Sequence, residues 1–116
     1  MDYKEITEKI KNLKKELFDT YIEALKNAVK ENGVKTSMFC STLYMNVYDY
    51  EVEYYGSYKN TATLDEIYYI PEKDELGFIV WDNEMHTKTY ANREFRPGDI
   101  NMLSTLFNFI CKCCQQ

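Results

Sequence analysis

Apolar residues recur at steps of three and four over residues 3–32, and Lys and Glu occupy the opposite side of that stretch. This spacing predicts one long amphipathic helix. Asn32–Gly33 would end the helix, with Gly33 in the left-handed conformation. We expect the apolar stripe to cover a sheet, although the spacing of residues 6, 10, 13 and 17 also fits a coiled-coil seam. The stripe consists of Ile6, Ile10, Leu13, Leu17, Tyr21, Ala24 and Ala28.

The next stretch, residues 37–55, alternates with a period of two, which predicts an extended strand. The parity of the apolar positions changes partway along the stretch. Up to Val47 the apolar residues occupy odd positions, and from Tyr48 they occupy even positions. Because a one-residue slip turns every later side chain to the opposite face, we expect a β-bulge near residues 46–49.

Three shorter patterns predict strands at residues 64–70, 77–82 and 85–91, which would form an antiparallel meander beside the 37–55 strand. Residues 56–63 have the polar composition of a loop, and residues 71–75 that of a charged turn. Asp99 would cap a final helix whose apolar stripe is wide enough to be wedged between layers or to contact another chain. The predicted architecture is a single α+β domain over residues 1–116. It has a long N-terminal helix, an antiparallel sheet of four or five strands with a bulge near 46–49, and a C-terminal helix.

The net charge of −5 and the pI near 4.9 narrow the classes of partner. Nucleic acids and anionic membranes bind basic surfaces, and here the Lys and Arg residues are scattered. No apolar run approaches the roughly 20 residues of a membrane span. The amphipathic N-terminus lacks the apolar core of a signal peptide. We therefore expect a cytoplasmic protein that binds neither nucleic acid nor membrane directly.

Several side chains have the chemistry of metal ligands without their usual spacing. Cys40, Cys111, Cys113 and Cys114 would be reduced in the cytoplasm, and zinc sites of this type need a second Cys or His pair beyond Cys-x2-Cys. Whether these thiols and His86, the single histidine, bind a metal stays open. No phosphate-binding loop or nucleophile motif is present, so we expect a non-enzymatic protein without a cofactor.

The 48–54 stretch carries the strongest binding signal. Its three acidic residues share one strand face at steps of about 7 Å, too wide for one metal ion from this strand alone. Tyr is enriched at protein interfaces, and Tyr beside acidic residues suits a partner that presents Lys and Arg. The candidate partner-binding residues are Tyr48, Asp49, Tyr50, Glu51, Glu53 and Tyr54. The acidic and the apolar tyrosine positions face opposite sides of a flat strand, so one set or the bulge region would take part.

The leading hypothesis is an acidic protein-interaction module, such as an inhibitor or an immunity or anti-defence protein. Its tyrosine-rich sheet would occupy the basic, nucleic-acid-handling surface of a partner protein. The alternative is an oligomeric protein that binds or sequesters a small nucleotide-like ligand. Its pocket would use Trp81 for stacking and Lys88, Arg93 and Arg96 for an anionic group. The sequence leaves a homodimer open.

Overall fold

The computed structural model describes the backbone of residues 2–55, 59–82 and 89–114, and the side chains of residues 2–47, 64, 66–80 and 92–112. It confirms the α+β fold: an N-terminal helix, an open five-stranded antiparallel sheet in chain order, and a C-terminal helix. A 3-10 turn, Pro97–Asp99, precedes the last helix. The elements are α1 (Tyr3–Asn32), β1 (Val34–Lys35), β2 (Leu43–Tyr55), β3 (Lys59–Ile70), β4 (Glu75–Asp82), β5 (Thr89–Glu94) and α2 (Ile100–Cys114).

Helix α1 has the bounds that its apolar stripe predicts. It begins where the Asp2 carboxylate accepts a hydrogen bond from the Glu5 N–H at 2.8 Å. Gly33 follows its last turn, but in an extended conformation (φ −74°, ψ 155°), so the left-handed cap expected from the sequence is wrong. Glycine is needed there for space, because a Cβ at this position would overlap the Val29 carbonyl oxygen and lie 3.2 Å from the Leu43 Cβ.

The predicted bulge is present. The pairing of β2 with β3 shifts between Asn46 and Tyr50, so the positions before and after the shift use opposite parity to reach the same face. The bounds of four strands differ from the prediction. The second strand begins at Leu43 instead of residue 37, and residues 59–63 belong to β3 instead of a loop. The next strand begins at Glu75 instead of residue 77, and the last strand is Thr89–Glu94 instead of 85–91. Residues 56–58 and 83–88 lie outside the described part of the chain.

Both helices pack on one face of the sheet, as the core shows. One continuous cluster joins buried residues from α1, from α2 and from the sheet. The rings of Tyr21 and Phe107 connect the two helices at a centroid distance of 5.7 Å. The wide apolar stripe of α2 is therefore used against both α1 and the sheet. The cluster consists of Leu25, Ala28, Val29, Val47, Leu64, Ile67, Tyr69, Leu76, Phe78, Val80, Phe95, Met102, Leu103, Leu106 and Ile110.

The turn between β3 and β4 is fastened to α1 by a small polar network. Asp74 ends the turn with a positive φ of 50°. Its carboxylate accepts a hydrogen bond from the Tyr69 hydroxyl at 2.7 Å and forms an ion pair with Lys26 at 3.0 Å. The Tyr69 hydrogen bond and then Lys26 lower the pKa of Asp74. The same hydrogen bond to the carboxylate raises the pKa of Tyr69. Lys26 thereby links the turn to α1.

Candidate functional site

The sheet face opposite the helices is here called the outer face. The strand pairing defines two of its rows, each shared by neighbouring strands. One contains Tyr44, Tyr68, Gly77 and Glu94, and the next contains Asn46, Glu66, Ile79 and Asn92. Asn46, Asn92 and Glu94 are exposed, and Glu66 and Tyr44 are half-buried. The outer face therefore combines acidic, amide and tyrosine side chains, and Glu66 and Tyr44 are engaged in contacts with neighbouring groups.

Tyr68 and Ile79 form a small apolar centre on this face. They are only 5% and 4% exposed, yet neither belongs to the core cluster beneath the helices. The Tyr68 ring lies across Gly77, where any Cβ would overlap the ring and approach the Arg93 carbonyl oxygen to 2.7 Å. Glycine opposite an aromatic residue in a sheet lets the ring lie flat over the backbone. The outer face thus contains a small packed apolar cluster of these two side chains.

The predicted partner-binding residues all lie in β2, and their side chains lie outside the described residues. Tyr48 and Asp49 fall inside the register shift between Asn46 and Tyr50. Glu51 pairs with Thr63, which pairs with Trp81, in a further row of the outer face. Tyr50 instead pairs with the buried Leu64, so its position belongs to the helix-covered face.

Positions two residues further along β2 follow the same rule. Glu53 shares the parity of Glu51, and Tyr54 shares that of Tyr50. Register therefore brings the two glutamate positions together on the outer face and separates them from the two tyrosine positions. The sequence alone named both sets as candidates without deciding which of them shares a face with the exposed residues of the other strands.

The alternative ligand-binding set is divided by the fold. Trp81 lies in β4, and its side chain lies outside the described residues. Lys88 lies wholly outside them. Arg93 lies opposite Phe78 on the helix-covered face, with its guanidinium carbon 4.6 Å from the Phe78 ring centroid. That guanidinium donates two hydrogen bonds to Asp99, at 2.7 and 2.8 Å. Its charge is therefore compensated within the chain.

Arg96 is exposed and lines a cleft of about 300 Å³ between α1 and the segment that precedes α2. Lys26, Asp74 and Glu94 also line this cleft, and apolar walls come from α1 and from Phe95. Lys26 is already paired with Asp74 at 3.0 Å, and the strand register gives Glu94 a position on the outer face. The charge of Lys26 is therefore compensated within the chain, and Arg96 is the remaining cation among the described residues that line the cleft.

Helix α1 provides a site that the sequence left undecided. Every residue from Asp2 to Leu17 is exposed, and packing against the core begins only at Phe18. The projecting half nevertheless carries an apolar stripe. We call this stripe the α1 seam: Tyr3 (89% exposed), Ile6 (38%), Ile10 (47%), Leu13 (54%) and Leu17 (43%). The expectation that the whole stripe covers the sheet is wrong for this half, and the coiled-coil spacing noted in the sequence remains as its signal.

The loop between β1 and β2 exposes a second apolar pair, Met38 and Phe39, at 87% and 95%. The free thiol of Cys40 follows them and is half-buried. Hydrogen bonds with Thr42 lower the pKa of this thiol. The loop lies at the β1 edge of the sheet, away from the α1 seam.

Two observations concern other kinds of site. Among the described residues, no group of three or more His, Cys, Asp or Glu side chains could hold a metal ion. Cys113, Cys114 and His86, which the sequence raised as ligands, have side chains outside that description. Within the same part of the chain, no helix combines the length and apolar character that crossing a membrane requires.

The chain matches no protein-family model, and comparison with curated proteins and with solved structures finds no similar protein.

Proposed function

We propose that this chain is a non-enzymatic, acidic protein-interaction module whose outer face occupies a basic surface of a partner protein. The observation that carries the proposal is the register of β2. It gives Glu51 and Glu53 positions on the same face as the half-buried Glu66 and the exposed Glu94. That face lies opposite both helices, and the chain as a whole has a charge of −5.

Such a face suits a partner that normally handles nucleic acid. Carboxylates presented in rows across a sheet take the place of phosphates, and tyrosine rings offer cation–π contacts to Lys and Arg. Opposite charges would also steer association, which makes it fast at low salt and slower as salt increases. A protein of this kind would act as an inhibitor or as an immunity or anti-defence protein in the cytoplasm.

The alternative proposal, a nucleotide-like ligand held by Trp81, Lys88, Arg93 and Arg96, has weaker support. An anionic group would have to compete with Asp99 for Arg93, since both guanidinium nitrogens that face Asp99 already donate to it. It would also meet the Asp74 carboxylate, which pairs with Lys26 in the cleft beside Arg96. Native mass spectrometry of gently isolated protein tests it directly, because a bound nucleotide adds a few hundred daltons per chain.

The interaction proposal is tested with two variants of equal charge. Glu51→Lys/Glu53→Lys alters the outer face, whereas Glu8→Lys/Glu31→Lys alters exposed positions of α1. Each variant adds four charges, which takes the net charge from −5 to −1. Proteins captured from source cells by the unmodified chain are identified, purified and titrated by calorimetry against all three forms at two salt concentrations.

We expect a basic, nucleic-acid-handling partner whose affinity falls at least about tenfold with the outer-face variant and much less with the control, since unlike charges become like charges. Affinity for the unmodified chain should also fall as salt rises. An equal loss of affinity for both variants would show that the net charge of the chain, and not the outer face, determines binding. Full retention of affinity by the outer-face variant would refute the proposed surface.

A further inference from the structure

We infer that the α1 seam pairs with the seam of a second copy of this chain, in an antiparallel coiled coil that forms a homodimer. The seam follows a heptad pattern, with Tyr3, Ile10 and Leu17 at its a positions and Ile6 and Leu13 at its d positions. These side chains are exposed on a helix that no other described part of the chain covers before Phe18. The inference does not depend on the outer face.

The register follows from pairing the apolar layers. When the centre of the overlap lies between residues 11 and 12, Ile10 meets Leu13 of the second copy and Ile6 meets its Leu17. Tyr3 then meets Thr20 of the second copy, where the helix offers small side chains.

The flanking charges favour the antiparallel orientation. Lys9 and Glu16 occupy g positions, and g faces g across an antiparallel pair, so each Lys9 meets a Glu16 of the second copy. In a parallel pair, g faces e, and Lys9 would meet Lys14. The facing e positions of the antiparallel pair hold Thr7 and Lys14, which do not repel. The antiparallel pair therefore has two Lys9–Glu16 attractions where a parallel pair has two Lys9–Lys14 repulsions, although it also places Asp2 opposite Glu23 at each end.

The apolar layers and the charges together fix the register along the antiparallel pair. A shift of one heptad in one direction sets Lys9 against Lys9 of the second copy and leaves Leu17 unpaired. A shift in the other direction sets Glu16 against Glu16 but Lys9 against Glu23, so charge alone does not exclude it. It is disfavoured because Ile10 then meets Thr20 and Ile6 meets Ala24, in place of Leu13 and Leu17. One like-charged pair, Asp2 with Glu23, remains at each end of the favoured register, where both side chains are exposed to solvent.

The favoured register also keeps the two bodies apart. The overlap covers residues 3–20, and the packed part of each chain begins at Phe18, so the two bodies lie at opposite ends of the paired helices. A parallel pair would bring both bodies to the same end. From the exposed fractions, the seam presents on the order of 500 Å² per chain. The pair would thus bury about 1,000 Å², which is the threshold of a specific interface. Because area alone does not set affinity, we base the expectation on this small size and expect a weak dimer with a Kd on the order of 10–100 μM.

Sedimentation velocity of the purified chain, at concentrations on both sides of that Kd, tests the dimer. Leu13→Asp should leave a folded monomer, because Leu13 is 54% exposed and supports no core residue. The matched control Asn12→Asp changes the neighbouring exposed position off the seam and should leave the Kd unchanged. Circular dichroism confirms that both variants keep their helix content.

Charge reversal tests the orientation. Lys9→Glu should raise the Kd about tenfold, and Lys9→Glu/Glu16→Lys should restore it, since the facing pair is again of opposite sign. The control Lys15→Glu lies on the opposite side of the helix and, like Lys9, stands four residues from an acidic residue.

Four results would overturn the inference. A monomer at every concentration would exclude the dimer, and a dimer that survives Leu13→Asp would have to use another surface. Tighter association of Lys9→Glu would indicate the parallel orientation. If a protein of different sequence covers the α1 seam in place of a second copy, the inferred homodimer is wrong.

Discussion

The ion pair between Arg93 and Asp99 should contribute measurably to the stability of the fold. The Arg93 guanidinium donates two hydrogen bonds to the Asp99 carboxylate, at 2.7 and 2.8 Å, and lies over the Phe78 ring. Asp99 also accepts the backbone N–H of Arg96 at 2.8 Å. The contact thereby joins β5 to the start of α2. Replacing Arg93 by Met removes the charge and keeps a flexible apolar stem against Phe78.

The burial of the two side chains sets the expected loss in the free energy of unfolding. Removing one partner of a fully buried ion pair costs about 3–5 kcal/mol. Here the Arg93 and Asp99 side chains are 23% and 12% exposed, so solvent reduces the effect. We expect Arg93→Met to lower the free energy of unfolding by about 1.5–2 kcal/mol. Asp99→Ala should cost about 2–3 kcal/mol, since it also leaves the Arg96 N–H without its acceptor.

Urea unfolding followed by circular dichroism measures these changes, and each kcal/mol should lower Tm by about 4 °C for a chain of this length. The double variant Arg93→Met/Asp99→Ala should cost about 1 kcal/mol less than the sum of the single variants, because the two residues share one interaction. The control Arg96→Met changes an exposed side chain and should stay within about 0.5 kcal/mol.

Strict additivity of the two single variants, or a cost below about 0.5 kcal/mol for Arg93→Met, would refute this structural role. Arg93 would then be free to serve the ligand-binding alternative. A loss of stability without any change in bound mass would count against that alternative.

Two further predictions concern the sheet. Gly77→Ala should lower the free energy of unfolding by about 2 kcal/mol, because its methyl group would overlap the ring of Tyr68. An unchanged urea midpoint would show that the ring moves aside freely. Asp74→Asn should destabilise the fold at neutral pH, and the difference should shrink as pH falls below about 4, where the lowered pKa of Asp74 ceases to favour the native state. Above about pH 10 the unmodified chain should lose stability as pH rises through the raised pKa of Tyr69, a loss that the variant reduces. A pH-independent difference between the two proteins would contradict both assignments.

The features predicted well from the sequence depend on local pattern. The change of parity at Val47 and Tyr48 predicts the bulge because a half-buried strand must keep its apolar positions on one face. The first residues of β3 were predicted as a loop for a physical reason. Lys59–Thr63 consists of polar and turn-forming residues, and it is extended because it pairs with β2. Pairing of this kind overrides intrinsic preference.

The candidate sites depend on register, which the sequence does not specify between distant strands. Glu51 and Glu66 are fifteen residues apart, and their positions share the outer face only through the pairing of β2 with β3. Arg93 and Arg96 are close in sequence, yet Arg93 lies opposite Phe78 under the helices, whereas Arg96 is exposed. Proximity along the chain therefore suggested one basic patch where the fold makes an internal ion pair and a separate exposed cation.

Helix α1 shows most clearly why a stripe alone does not reveal what covers it. Thirty residues make a helix about 45 Å long, whereas five strands spaced at about 4.8 Å make a sheet about 24 Å wide. A helix that crosses the strands can therefore bury only about half of its length, and contact with the core indeed begins at Phe18. Polar residues in the projecting half would leave that core intact. Four large aliphatic residues at heptad spacing there expose apolar surface that no described part of the chain covers, and the proposed pairing with a second copy would remove that surface from water.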